Sequence, residues 1–473
     1  MLSSALSFSV LLALTGCSGG GTEAPAAPVA ATPAAGPSFD FKADASKLNV
    51  IFISMDAMRF DRTGAGGASG TPNLDAFAKE AVVFTNTTAA APWTVPSHMA
   101  MFTGRWPTHH GVVNKLKPNP AGGDLIFDSL KAEIPTFPEK LIDAGWKGVA
   151  FTGGAGVQAK FGYGRKFESY LDDKPFAGME YSGPPAMEWL RAHKADHFFM
   201  FFHGYDAHGQ HPLLDQDPRA AVPDYKGALD GGIVEQAALR EKGLAAIQKP
   251  GDPAQLDGLS AEDIRFLTAI YDAKVKEADA RLGLFLDTVK EQGLLDRSIV
   301  VILSDHGEEF MEHGYLDHGA TLCEHQLHVP MMIRFPEGLG HRTVENAVRT
   351  IDVFPTVFDA LGVAVPADID GKSLLPLLRG EKTELPIFAE SDYRLFVHLR
   401  SAVQGSKKVV LDLEDGQRSL FDHTNDRAEL HDLSESDPKT TYEMEQTVRA
   451  WMASMNSDPQ TFLGVEEQSI KLF

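Results

Sequence analysis

The chain has 473 residues, 43% hydrophobic and 23% charged, a balance that fits a folded protein of one large domain with an accessory unit or of two to three ordinary domains. Its formal net charge of −22 argues against a nucleic-acid partner, which normally needs a basic stripe, and requires any anion site to be locally positive. Two cysteines, Cys17 and Cys323, sit in unlike contexts without zinc-finger spacing, which argues against a disulfide scaffold.

Residues 1–17, MLSSALSFSVLLALTGC, carry an apolar run from Ala5 to Leu14. That run is too short to span a bilayer and suits a signal peptide. Its ending, Leu14-Thr15-Gly16-Cys17, resembles a bacterial lipobox and predicts lipidation at Cys17, although Lys and Arg are missing from the start; an ordinary cleaved signal is the alternative. Residues 18–46 are rich in Gly, Ala and Pro and predict a flexible tether. Anchor and tether together predict export, with attachment to the periplasmic face or the outer membrane.

Short continuous apolar runs then recur, each ending in polar residues. Val50 to Met55 leads into Asp56, Phe198 to Phe202 into His203, Asp206 and His208, and Ile299 to Leu303 into Asp305 and His306. Such runs predict strands buried on both faces of a mostly parallel sheet. Between them lie helical patterns; the clearest runs from Tyr271 to Gln292, with apolar residues three to four apart and Gly293 as its stop. Alternating strands and helices predict an α/β fold with helices on both sheet faces. The Pro-, Gly- and Asp-rich stretch 212–262 reads as an insertion over the site. From about Leu385 the pattern changes to antiparallel strands, with a turn at Glu414-Asp415-Gly416 and a final helix from Thr440 to Met455. The expected division is a catalytic domain over 47–385 and a small C-terminal α+β subdomain over 386–473.

Ligands of open α/β sheets bind beyond the carboxyl ends of the strands. Asp56, Asp305 and His306 all follow such ends, and two carboxylates with an imidazole suit a divalent cation. A single Asp after a strand more often caps a turn, so the argument rests on the three together. In "APWTVPSHMAMFTGRWPTHHGV", residues 91–112, Thr94 and Ser97 read first as hydroxyls that start a helix. A hydroxyl there is also in a field that favours anions, and contact with a cation would make it a nucleophile.

The chain resembles the sulfatase family of the alkaline phosphatase superfamily. The resemblance runs from about Asn49 to Leu433 through six ordered landmarks: SMDAMRFDRTGAGG, the nucleophile segment with its Thr-Gly-Arg, YDAHGQHP, VVILSDHGEEFMEHG, TIDVFPTVFDALGVAVPADIDGKSLLPLLRG and SLFDHTNDRAELHDLSE. It implies a mixed, mostly parallel sheet between helices and a small C-terminal sheet. Position by position it implies Asp56, Asp305, His306 and Thr94 around one metal, Thr94 as nucleophile, and His208 and His318 at the transferred group or leaving oxygen. His98, Arg105 and Asp206 are the expected substrate contacts. Sulfatases commonly carry Cys or Ser at the nucleophile position within a Cys-x-Pro-x-Arg motif that is oxidised to formylglycine. Here Thr94-Val95-Pro96-Ser97-His98 would give a ketone and lacks the arginine, so no formylglycine is expected. Ala57 breaks the paired aspartate of calcium sites, and His306 replaces an oxygen ligand, which favours Mn²⁺ or Zn²⁺ over Ca²⁺ or Mg²⁺. Gln210 stands where a second-metal histidine would, so one metal is expected.

These departures favour phosphate mono- or diesters of small molecules, glycans or lipid headgroups. The alternatives are sulfate-ester hydrolysis, phospho-group transfer to an envelope glycan, and a non-catalytic binding lipoprotein.

Overall fold

The computed structural model describes residues 44, 47–120, 122–213, 217–248, 259–336, 340–394 and 396–455. The expected signal at 1–17, with Cys17, and nearly all of the expected tether at 18–46 lie outside the described residues.

Eight strands form the main sheet: β1 Asn49–Met55, β2 Val82–Phe84, β3 Lys147–Phe151, β4 Ser169–Leu171, β5 Phe198–Gly204, β6 Ser298–Leu303, β7 Met331–Arg334 and β8 Arg342–Val344. Their order is β8-β2-β7-β6-β1-β5-β3-β4. The centre, β6-β1-β5-β3-β4, is parallel, and β7 runs antiparallel to both β6 and β2. β1, β5 and β6 are buried along their whole length, as continuous apolar strands covered on both faces must be.

Helices cover both faces. They are α1 Pro72–Ala78, α2 Thr94–Thr103, α3 Phe137–Asp143, α4 Met179–Ala192, α5 Ile233–Gln248, α6 Ala261–Glu291, α7 Val353–Leu361 and α8 Pro438–Ser454. Alternate residues of β1 face different cores. Val50 and Phe52 pack with residues of α2, α3 and α7; Ile51 and Ile53 pack with residues of α1, α4 and α6. The expected helix from Tyr271 begins ten residues earlier, where Ser260 caps α6 and Asp263 completes a capping box. The first turns of α6 pack against the stretch read as an insertion, through Val222, Tyr225, Phe266 and Ile270.

The second sheet is antiparallel, β9 Ile387–Tyr393, β10 Val397–Gln404, β11 Lys407–Asp412 and β12 Arg418–Asp422 in that order. α8 covers it through Met444, Val448, Trp451 and Met452. The same core contains Ala100 of α2 and Trp106, with Phe388 stacked on Trp451 at 4.4 Å. The C-terminal sheet therefore braces the tail of α2. Among the described residues no helix is long and apolar enough to cross a membrane.

Candidate active site

Register brings the acids together. β1 lies between β5 and β6, with Ser54 opposite both His203 and Leu303. Continuing two residues past the Ser54–Leu303 pair carries Asp56 beside Asp305, with His306 next. The backbone bends sharply there: Ala57 has a φ of 59°, a conformation unusual outside glycine. That turn lets the Ala57 amide donate to Asp305 Oδ1 at 3.3 Å.

α2 brings the hydroxyl. Thr94 is its first residue and Trp93 the cap, with no side chain satisfying the free amides. Ser97, expected as a possible cap, instead donates to the Asp305 carbonyl at 2.7 Å and ties the helix to the strand end. Thr94 Oγ1 lies 3.4 Å from His306 Nε2. Gly156 makes room for it, since a Cβ there would sit 2.8 Å from both Thr94 Cβ and Cγ2.

The chemistry of these atoms makes them a candidate cation site. His306 Nδ1 faces the Gly307 carbonyl at 2.8 Å, so Nδ1 carries the hydrogen and Nε2 offers a lone pair. That lone pair points towards Asp305 Oδ2 at 3.4 Å and Asp56 Oδ1 at 3.8 Å. Both oxygens are buried; Asp56 Oδ1 has no partner in hydrogen-bonding geometry, and Asp305 Oδ2 has His98 Nδ1 at 3.1 Å. Two carboxylate oxygens and an imine nitrogen thus converge, and of the four groups only the Thr94 hydroxyl brings a proton. Repelling acceptors in a buried place call for a cation. Without one, burial and the Asp305 charge push Asp56 well above the carboxylate range. Burial would raise Asp305 too, but His306 and His98 outweigh it and hold that acid low. Burial likewise pushes His306 down to about 4, which preserves its lone pair.

A further layer orients these ligands. His203 takes the Gly153 amide on Nδ1 and faces Asp56 Oδ2 with Nε2 at 3.3 Å. His98 lies 3.1 Å from Asp305 Oδ2 and 3.1 Å from the Thr94 carbonyl through Nδ1, and 2.8 Å from Ser54 Oγ through Nε2.

Thr94, His208 and His318 line one cleft of about 490 Å³, together with Lys115, Tyr205 and Arg240. The His208 and His318 rings are 4.8 Å apart and the His306 and His318 rings 4.3 Å. His318 Nδ1 is gripped by Asp317 at 2.8 Å and Glu308 at 3.1 Å. Burial opposes its charging, but those two carboxylates outweigh it and raise its pKa well above the usual value. Burial, with His318 and His306 nearby, keeps His208 neutral. Two imidazoles shifted in opposite directions therefore face the same space.

Three expected substrate contacts are elsewhere. His98 is fully buried behind Asp305. Asp206 spends its oxygens on Arg281 Nη1 at 2.9 Å and the Met179 amide at 2.8 Å. Arg105 lies beyond the far end of α2, with Asp368 and, at 3.1 Å, His109 as partners. The reason is the same each time: a nearer protein group satisfies the charge before any ligand arrives. Asp206 and His211 also fail to line the cleft; His211 turns to the Phe176 carbonyl at 3.1 Å and Glu180 at 3.6 Å. His203 and Lys115 were missed. His203 carried a signal, at the end of an apolar strand; Lys115 in Asn114-Lys115-Leu116-Lys117 carried none.

Comparison with known proteins follows the same lines. The profile of the Sulfatase family matches residues 48–363. The profile described as N-sulphoglucosamine sulphohydrolase, C-terminal, matches residues 311–456. Arylsulfatase K of Xenopus laevis is 28% identical over 202 residues, covering 40% of this chain and 38% of that protein. Arylsulfatase K of Homo sapiens is 35% identical over 116 residues, 24% of this chain and 22% of that protein. The match thus spans well under half the length of these curated relatives. Among solved structures, a 2-O GAG sulfatase superposes with a TM-score of 0.68 at 19% identity, covering 89% of this chain and 97% of the other. The phosphonate monoester hydrolase of Agrobacterium radiobacter does so with 0.68 at 20% identity, covering 86% and 96%. At those identities the structures speak for the fold, and the family profile, matched across most of the folded chain, carries the assignment: this chain belongs to the sulfatase family of ester hydrolases.

Proposed function

We propose that the chain is a metal-dependent hydrolase of phosphate mono- or diesters with Thr94 as its nucleophile. One observation carries this reading: a threonine hydroxyl at the start of α2 faces the His306 lone pair, to which buried carboxylate oxygens of Asp56 and Asp305 also turn. Asp56, Asp305, His306 and Thr94 are the residues that would hold the cation. When bound, it supplies Lewis-acid polarisation of the ester and acidifies the hydroxyl. Two oxygens with one imidazole nitrogen favour Mn²⁺ or Zn²⁺.

In this reading Thr94 Oγ1 releases its proton to water in the cleft and attacks phosphorus, and the bond to the leaving alkoxide breaks; the released proton restores His318 after it protonates that alkoxide. His318, held by Asp317 and Glu308, gives that oxygen a proton, with His208 beside it. Water then attacks the phosphothreonine, breaks the bond to Oγ1, and returns the hydroxyl with release of phosphate or a monoester. The start of α2 adds amides to the oxyanion. No formylglycine is needed, because the hydroxyl itself is the nucleophile.

The second reading is sulfate-ester hydrolysis, favoured by the matches to arylsulfatase K and by the shared fold of a 2-O GAG sulfatase. Turnover of aryl phosphate, phosphodiester and aryl sulfate with Mn²⁺, Zn²⁺, Ca²⁺ or Mg²⁺ separates the two. Faster phosphoester cleavage, lost in Thr94→Ala, and an unmodified Thr94 by mass are expected; faster sulfate cleavage assigns the second reading. We further propose export with lipidation at Cys17. Metabolic labelling with a fatty acid, lost in Cys17→Ser, checks it, and unlabelled wild-type protein refutes it.

A further inference from the structure

The cleft above Thr94 collects more positive charge than its own carboxylates balance. In a chain of net charge −22 it is lined by Lys115, Lys160, Arg240 and Arg394. Four separate segments deliver them: the loop after α2, the turn Ala159–Phe161, helix α5 and the connection from β9 to β10. The two arginines are partnered. Arg240 Nε lies 3.6 Å from Asp317, and Arg394 makes two bonds of 3.1 Å to Glu241.

The lysines are different. Among the described residues no carboxylate pairs with either in this cleft. Each lies against an aromatic ring instead, Lys115 Nζ 5.5 Å from the Phe176 centroid and Lys160 Nζ 4.1 Å from that of Phe127. Both rings belong to the cleft wall. Neither lysine is hydrogen-bonded to Thr94 or to the acids at the strand ends. Holding Lys115 there is costly: burial, then Arg240 and Arg394, push it down to about 8. Like charges gathered beside apolar rings are complementary to an anion carried on an apolar or ring-shaped body.

We propose that Lys115 and Lys160, backed by Arg240 and Arg394, form a second anion subsite, which binds a carboxylate on the alcohol side of the ester. This rests on the reading of the chain as an ester hydrolase, and deepens it: the substrate is anionic at two places, the transferred group and the body that leaves.

The test uses a naphthyl phosphate with a carboxylate on the far ring and its carboxamide counterpart, which differ in charge but little in leaving-group chemistry. Calorimetry on the metal-loaded full chain carrying Thr94→Ala measures binding without turnover. The carboxylate is expected to bind about tenfold tighter. Adding Lys115→Gln and Lys160→Gln should bring the two dissociation constants together, and Lys115→Arg should keep them apart. In the wild-type enzyme the preference should appear in KM and not in kcat. Equal binding of the pair, no binding of either, or a preference that survives loss of both lysines overturns the subsite. So does an equal fall of kcat on both esters in Lys115→Gln, which would place the lysine at the transferred group. Tighter binding of the carboxylate without hydrolysis of any phosphate or sulfate ester retains the subsite and refutes the enzymatic reading.

Discussion

Two strand ends in this protein look alike in sequence and differ in chemistry. β1 and β5 both run apolar into an aspartate, Asp56 and Asp206. Asp56 keeps an oxygen without a partner beside Asp305 and His306, whereas Asp206 is consumed by Arg281 and the Met179 amide. The first is left free for the proposed cation; the second is a brace between β5, α4 and α6. An acid at a strand end acquires function only if the fold withholds a protein partner from it.

Metal removal is the hardest way to break the contrast. Chelation should take turnover to background, and Asp305→Ala should do so while removing bound metal, as elemental analysis would show. Asp206→Asn should keep the metal and lose about 2 kcal/mol of stability in urea unfolding. Loss of metal from the Asp206 variant would place it in the centre after all.

Next comes the hydroxyl. Thr94→Ala should lower kcat by about 10³-fold or more with metal retained. Gly156→Ala should cost about 10²-fold in kcat, because its Cβ would sit 2.8 Å from Thr94 Cβ and Cγ2 and displace the side chain proposed as nucleophile. An unchanged rate in Gly156→Ala would mean that Thr94 need not hold this position.

Two buried histidines sharpen the comparison through pH. Burial opposes charging of His318 but its two carboxylates raise its pKa well above the usual value, whereas burial pushes His110 down to about 3. His110 Nε2 donates to the Pro96 carbonyl at 3.2 Å and Nδ1 accepts from the Val112 amide at 3.1 Å, which requires the neutral ring. An unfolded histidine takes its proton near pH 6.5 and the folded one does not. Stability is therefore full above 6.5 and falls as pH drops from there towards 3, by about 1.4 kcal/mol per pH unit from this group. Unfolding at pH 7, 6 and 5 should show a shallower decline in His110→Gln than in the wild type.

The smallest effect is expected at Arg105. Its partner Asp368 is largely exposed, so Arg105→Gln should cost no more than about 1 kcal/mol and leave kcat unchanged. A fall in kcat would return Arg105 to the active site.

The layered α/β architecture was legible because continuous apolar runs and three-to-four periodicity report burial directly, as at Ile299–Leu303 and along α6. The gathering of Asp56, Asp305 and His306 was legible for a related reason: parallel neighbours must end on one rim. His98, Asp206 and Arg105 were not, because whether a polar side chain meets a ligand or a neighbour depends on residues distant in sequence. Arg281 is 75 positions from Asp206, and Asp368 is 263 from Arg105. Lys115 was invisible for the same reason, since what isolates it is the company of Arg240 and Arg394.

Sequence alone determined the strand ends, the hydroxyl at a helix start and the lack of a formylglycine motif. All three follow from local pattern and residue type. Tertiary structure decided which charges are satisfied, which stay bare, and how many cations share one cleft. Electrostatic satisfaction is a property of distances across the fold, and no local window contains it.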